Sequence, residues 1–151
     1  MRVWGVGLVL VVCLVALSAM PSGAASDLAA SIKTQLKTAH FHAGELAQKG
    51  AIAATQLHLH HTINCLEGPS GPHFFAASGN PCQGQGHGIL PDLKAAAAAG
   101  VPGARAALDD ATIALTLAMQ AQNMTDVNEA QPWAAVVAEY LQKASDDLGA
   151  M

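Results

Sequence analysis

Seven histidines are the residues of this chain best suited to chemistry, and they are unevenly distributed. All of them lie between residues 40 and 87, and the last 64 residues contain none. The densest group is in the segment QLHLHHTINCLEG, residues 56–68, which places His58, His60 and His61 just before Cys65. Neutral imidazole is a common ligand of transition metals. The distribution therefore indicates a metal or cofactor site between residues 40 and 87.

Helix geometry separates these histidines into groups. In a helix that turns about 100° per residue, His58 and His61 share one flank, where an i,i+3 pair can meet, and His60 lies on the other flank. A turn at Gly50 would bring His40 or His42 level with His58 on a neighbouring helix. The predicted metal ligands are His58 and His61, joined by His40 or His42, with His87 from a glycine-rich loop as a further ligand.

The predicted ion is a divalent transition metal, copper or zinc, because imidazole suits both. Iron is disfavoured, since the E-x-x-H motif of di-iron bundles is absent. A haem held by a His/His or His/Met pair is the second cofactor hypothesis, with Met119 or Met124 as the methionine. The chain has no C-x-x-C-H motif for covalent haem attachment.

The N-terminal segment predicts export. Arg2 is followed by the apolar run VWGVGLVLVVCLVALSAM and then by small residues near Ala24 and Ala25, as in a secretory signal peptide. We expect residues 1–25 to be removed, which gives a periplasmic or extracellular protein with one domain, residues 26–151. A retained N-terminal anchor is the alternative.

Export also determines the expected state of the cysteines. Once Cys13 leaves with the signal, Cys65 and Cys82 are the only pair, in a compartment where thiols oxidise. We therefore predict a Cys65–Cys82 disulfide. In the competing interpretation both thiolates bind metal.

The periodicity predicts an all-α fold, an antiparallel four-helix bundle with a long, disulfide-pinned Gly/Pro loop between the second and third helices. The four predicted stretches are residues 26–49, 51–67, 91–122 (interrupted at Gly100–Gly103) and about 125–148. The expected apolar face of the third stretch consists of Leu108, Thr112, Leu115 and Met119. Alanine-rich faces indicate close helix packing and a slim core.

Two features of the connections stay open at this point. The first two stretches form either a hairpin at Gly50 or one long kinked helix. The loop from Gly68 to Pro91 contains Phe74 and Phe75, which either pack beneath it or contact a protein partner. Phe41 lies on a polar helix side, and we expect this loop to cover it.

Charge and motifs exclude several functions. Without Arg2 the chain has six basic and eleven acidic residues, a net charge of −5, so nucleic acid is not an expected partner. The remaining sequence has no second apolar span of about 20 residues, so we do not expect membrane contact after signal cleavage. No nucleophile motif indicates an enzyme. Two hypotheses remain beside haem-dependent electron transfer: an exported metal carrier, buffer or sensor, and a disulfide-pinned interaction domain without metal.

Overall fold

The structure is a computed structural model that describes residues 22–149, and every regular element in that range is helical. Five α-helices follow one another along it: α1 (Ser22–Phe41), α2 (Ile52–Glu67), α3 (Ile89–Ala98), α4 (Ala104–Gln122) and α5 (Val127–Asp147). The predicted all-α class is therefore confirmed. Residues 1–21, most of the predicted signal segment, lie outside the described range. Within that range no helix is long and apolar enough to span a membrane.

The third predicted stretch is divided into two helices, α3 and α4. Gly100 and Gly103 have φ angles of 75° and 74°, a left-handed conformation that commonly ends a helix. Pro102 between them lacks the N–H needed to continue a helix. The described residues therefore contain five α-helices where the sequence predicted four.

The buried face of α4 consists of alanine and not of the larger residues that we expected. Leu108, Leu115 and Met119 are only partly buried, and Thr112 is exposed. The fully buried apolar residues of this helix are Ala104, Ala107, Ala111, Ala114, Ala118 and Ala121. Alanine lets helices approach closely, and α4 makes its most extensive contact with α5. The alanine-rich character of the buried face agrees with the sequence analysis, but the prediction of which residues of α4 are buried was wrong.

The first two predicted stretches are separate elements. A π-helical turn, His42–Leu46, extends α1, and the amide of Ala47 donates to the carbonyl of His42, five residues earlier, at 2.8 Å. The chain then turns through residues 47–51, where Gly50 has a φ of 83°. Contacts between His42 and His58 exclude one long kinked helix.

The loop of residues 68–88 is fixed at its base. Cys65 at the end of α2 is bonded to Cys82, so the predicted disulfide is confirmed and the thiolate-ligand interpretation is wrong. The backbones at the two ends of the loop also lie close together: a Cβ added at Gly68 would overlap the carbonyl oxygen of His87. Buried Gln35 of α1 holds the C-terminal end of the loop: its side chain donates to Asp92 at 2.8 Å and accepts from the Gly88 amide.

Candidate metal centre

Three of the predicted histidines converge on one point. The Nδ1 atoms of His42 and His58 lie 3.2 Å apart, those of His42 and His61 also 3.2 Å, and those of His58 and His61 3.3 Å. The three rings are half-buried, and among the described residues they form the one group of three or more potential ligands close enough to hold a metal ion.

The size of this triangle suits a small transition-metal ion. A tetrahedral ion with bonds of about 2.0–2.1 Å to nitrogen separates its ligand atoms by about 3.3–3.4 Å. The observed separations of 3.2–3.3 Å are close to that value. The three nitrogens thus have the spacing of three corners of a tetrahedron, so these histidines could hold such an ion as three of its ligands.

Two elements position the triad. His58 and His61 are an i,i+3 pair on α2, so their rings project from one flank. His42 is the first residue of the π-helical turn, which inserts one extra residue into the end of α1. Such turns often occur at functional sites. Gly44 within the turn packs against Ala138 of α5, where an added Cβ would lie 3.3 Å from the Ala138 Cβ.

The environment keeps two of these imidazoles neutral. Burial, followed by the nearby charges of His61 and His58, lowers the pKa of His42 from 6.5 to about 4. Burial also lowers the pKa of His58, with a smaller contribution from His61. Metal ligation requires neutral imidazole, so these shifts favour binding of a cation over binding of protons.

A backbone carbonyl orients the third imidazole. The Nε2 of His61 lies 2.5 Å from the carbonyl oxygen of Ser78, in a 3₁₀ turn of the loop (Ala76–Ser78). A carbonyl only accepts hydrogen bonds, so Nε2 carries the proton and Nδ1 directs its lone pair toward His42 and His58. Metal-binding histidines typically donate their other N–H in this way.

The other two predicted ligands lie away from the triad. His40 faces α5, lining a shallow groove with Gly44 and Glu139. The side chain of His87 is 90% exposed, and its Nδ1 lies 3.0 Å from Asp92. The structure thus brings together three of the five histidines, with His42 and not His40 supplied by the first helical segment.

The remaining histidines have partners of their own. The Nδ1 of His73 lies 2.6 Å from Glu67. His60, on the opposite flank of α2, stacks on Phe75 at a centroid distance of 5.1 Å, and its Nε2 lies 2.9 Å from the Gln122 amide nitrogen. Burial, then the charge of His61, lowers the pKa of His60. The methionines of the haem hypothesis, Met119 and Met124, pack against the core.

The phenylalanines do not form the expected cover. Phe41 and Phe75 are each 49% exposed, so the loop leaves Phe41 open to solvent. Phe41 instead meets His42 edge to face, with ring centroids 5.9 Å apart. Phe74 is half-buried.

Comparison of the chain with protein-family models, with curated proteins and with solved structures finds no match.

Proposed function

We propose that this protein is an exported metal-binding protein that holds one divalent transition-metal ion, copper or zinc, through His42, His58 and His61. The observation that carries the proposal is the convergence of three Nδ1 atoms within 3.2–3.3 Å of one another. Nitrogen lone pairs aimed at one point repel each other unless a proton or a cation lies between them. With the Nδ1 of His61 unprotonated, a metal ion between the rings would bind all three nitrogens at once, and the lowered pKa of His42 disfavours the doubly protonated ring that would compete with it.

The ligand set supports copper or zinc. Imidazole suits both ions, and the triad includes no carboxylate, the group that magnesium, calcium and manganese prefer. Copper(II) has the higher affinity for such sites in the Irving–Williams order. Three protein ligands leave room for a fourth from solvent or from another molecule. That arrangement suits a carrier, a buffer or a sensor, which must release its ion.

The location and the scaffold belong to the same proposal. The N-terminal apolar segment and the Cys65–Cys82 disulfide support export to an oxidising compartment. We infer that α1, α2, α4 and α5 form an antiparallel bundle that supports the site. Exposed Phe75, close to the triad along the loop, supports a contact with a protein partner that delivers or accepts the ion.

Calorimetric titration of the mature, metal-free protein with copper(II) and with zinc at about pH 7.5 tests the proposal, because unperturbed histidine is neutral there. We expect one ion per chain. His42→Ala should weaken binding by about 100-fold or more, beyond the 10–100-fold typical of outer ligand partners.

Two matched variants serve as controls. His40→Ala and His87→Ala remove histidines that lie outside the triad, so they should leave the affinity unchanged. Equal losses in all three variants would show adventitious binding by surface histidines and would overturn the proposal.

A further inference from the structure

Asn64 is a fully buried polar residue that holds one segment of the loop. It follows His61 by three residues on α2. Its side-chain nitrogen lies 2.9 Å from the Phe75 carbonyl oxygen and 2.6 Å from that of Gly79, and its Oδ1 accepts from the Phe75 amide at 2.8 Å. The Ser78 hydroxyl is a further neighbour at 3.2 Å. One amide side chain therefore fixes both ends of residues 75–79.

The held segment contains the carbonyl that orients His61. Ser78 ends the 3₁₀ turn between Phe75 and Gly79, so fixing those two residues fixes the direction of the Ser78 carbonyl. His61 and Asn64 are i,i+3 neighbours, and both reach the same turn of the loop. The amide and the imidazole thus act on one short piece of backbone.

We propose that Asn64 is a positioning residue of the metal centre: by holding residues 75–79, it aims the Ser78 carbonyl at His61 Nε2 and so directs the Nδ1 lone pair of His61 at the ion. The inference rests on the proposed function. It assigns a metal-related role to a buried residue that contacts no ligand atom of the triad.

The loop is anchored independently of Asn64, which makes the proposal testable in a folded protein. The Cys65–Cys82 disulfide and the close contact between Gly68 and His87 fix the base of the loop. Removal of the amide should therefore release the turn that carries Ser78 without detaching the whole loop.

The test uses Asn64→Ala in the full mature chain with the disulfide intact. Nitrogen-15 NMR of the metal-free protein reports the His61 tautomer. We expect a single Nε2–H form in the parent and a mixture of both tautomers in the variant. Zinc and copper affinities should fall by about 10–100-fold, as for outer partners of ligating histidines.

Asn80→Ala is the matched control, because it removes an asparagine side chain from the same loop, one that accepts a hydrogen bond from the Cys82 amide and not from residues 75–79. It should leave the His61 tautomer and the metal affinity unchanged. Asn64→Asp is a second variant should the alanine variant fold poorly. It keeps an acceptor for the Phe75 amide but loses the donor groups, so it should also release the turn.

The outcomes separate this proposal from the proposed function. If the parent binds neither ion, the metal function fails, and the tautomer comparison still decides whether Asn64 orients the His61 ring. If the parent binds metal while a folded Asn64 variant keeps both the Nε2–H tautomer and the parental affinity, the positioning role is overturned.

Discussion

At the scale of single residues, His42 is the group for which a proton and a metal ion would compete. A histidine with its ordinary pKa of 6.5 is largely protonated at pH 5 and then cannot bind an ion. The pKa of His42 is lowered to about 4, so its imidazole is neutral in mildly acidic solution. His42 is thus available as a metal ligand at lower pH than an exposed histidine.

The same shift predicts how the stability of the metal-free protein depends on pH. The unfolded chain binds a proton at His42 near pH 6.5, whereas the folded chain does so only near pH 4. Acidification through that window therefore favours the unfolded state. The contribution of neutral His42 to the free energy of unfolding is fully present above pH 6.5 and is lost as the pH falls toward 4. We expect the thermal midpoint to fall between pH 7 and pH 4, and to fall less in His42→Gln. An equal decrease in both proteins would show that His42 is not the responsible group.

Part of the site was predictable residue by residue. The i,i+3 pair His58 and His61 follows from the helix period alone, and their flank is the one observed. The choice between His40 and His42 was not predictable, because in a regular helix the two straddle the apolar stripe. Nor was the exclusion of His87, which depends on its contact with Asp92. Asn64 and the Ser78 carbonyl were missed, since a loop backbone has no spacing rule.

At the scale of elements, the π-helical turn decides which histidine reaches α2. Its extra residue changes the direction in which His42 points, measured about the helix axis, relative to the turn at residues 47–51 and to α2. Most helix boundaries were predicted within a few residues, because Gly50, Gly68 and Gly100 interrupt the apolar period. The exception is the end of α1, which lies at Phe41 and not at residue 49. The π-helical turn has no such signal, since HAGEL reads as ordinary helix. It is stabilised by tertiary packing, as the contact of Gly44 with α5 shows.

Deletion of Glu45 tests the role of this turn. Glu45 is exposed, so its removal should convert the π-helical turn into a regular α-helical one with little loss of packing. A regular turn would rotate His42 away from His58 by about one residue, or 100°. We expect the metal affinity to fall by at least about tenfold in a calorimetric titration, as for a disturbed ligand shell. Glu45→Ala, which keeps the chain length, is the control, and equal affinity of the deletion variant and the parent would refute this role.

At the scale of the whole molecule, the disulfide and the loop link the two halves of the described chain. The loop runs from α2 across α1, where the Ser31 and Thr38 hydroxyls donate to Gln85, and leads into α3. Cross-links of this kind stabilise mainly by limiting the unfolded chain. The alignment of the metal centre therefore depends on the same segment that joins the helical elements.

The double variant Cys65→Ala, Cys82→Ala measures this contribution. A bridge that closes a loop of about 15–20 residues contributes about 3 kcal/mol on the chain-entropy model. We expect the urea midpoint to shift to a lower concentration by a corresponding amount in the metal-free protein. A change within about 0.5 kcal/mol, as for an ordinary surface substitution, would contradict it. Alkylation without reductant provides the check on the parent, in which neither cysteine should be labelled.

The alanine-lined contact between α4 and α5 sets how the stability of the protein varies with temperature. The heat capacity gained on unfolding rises with the apolar area that becomes exposed. Alanine accounts for about half of the buried apolar residues, and it carries the smallest apolar side chain. The heat-capacity change should therefore lie below the usual value of about 12–15 cal/mol/K per residue. A small heat-capacity change gives a flat stability curve, so this protein should lose little stability on cooling and weaken only gradually on warming.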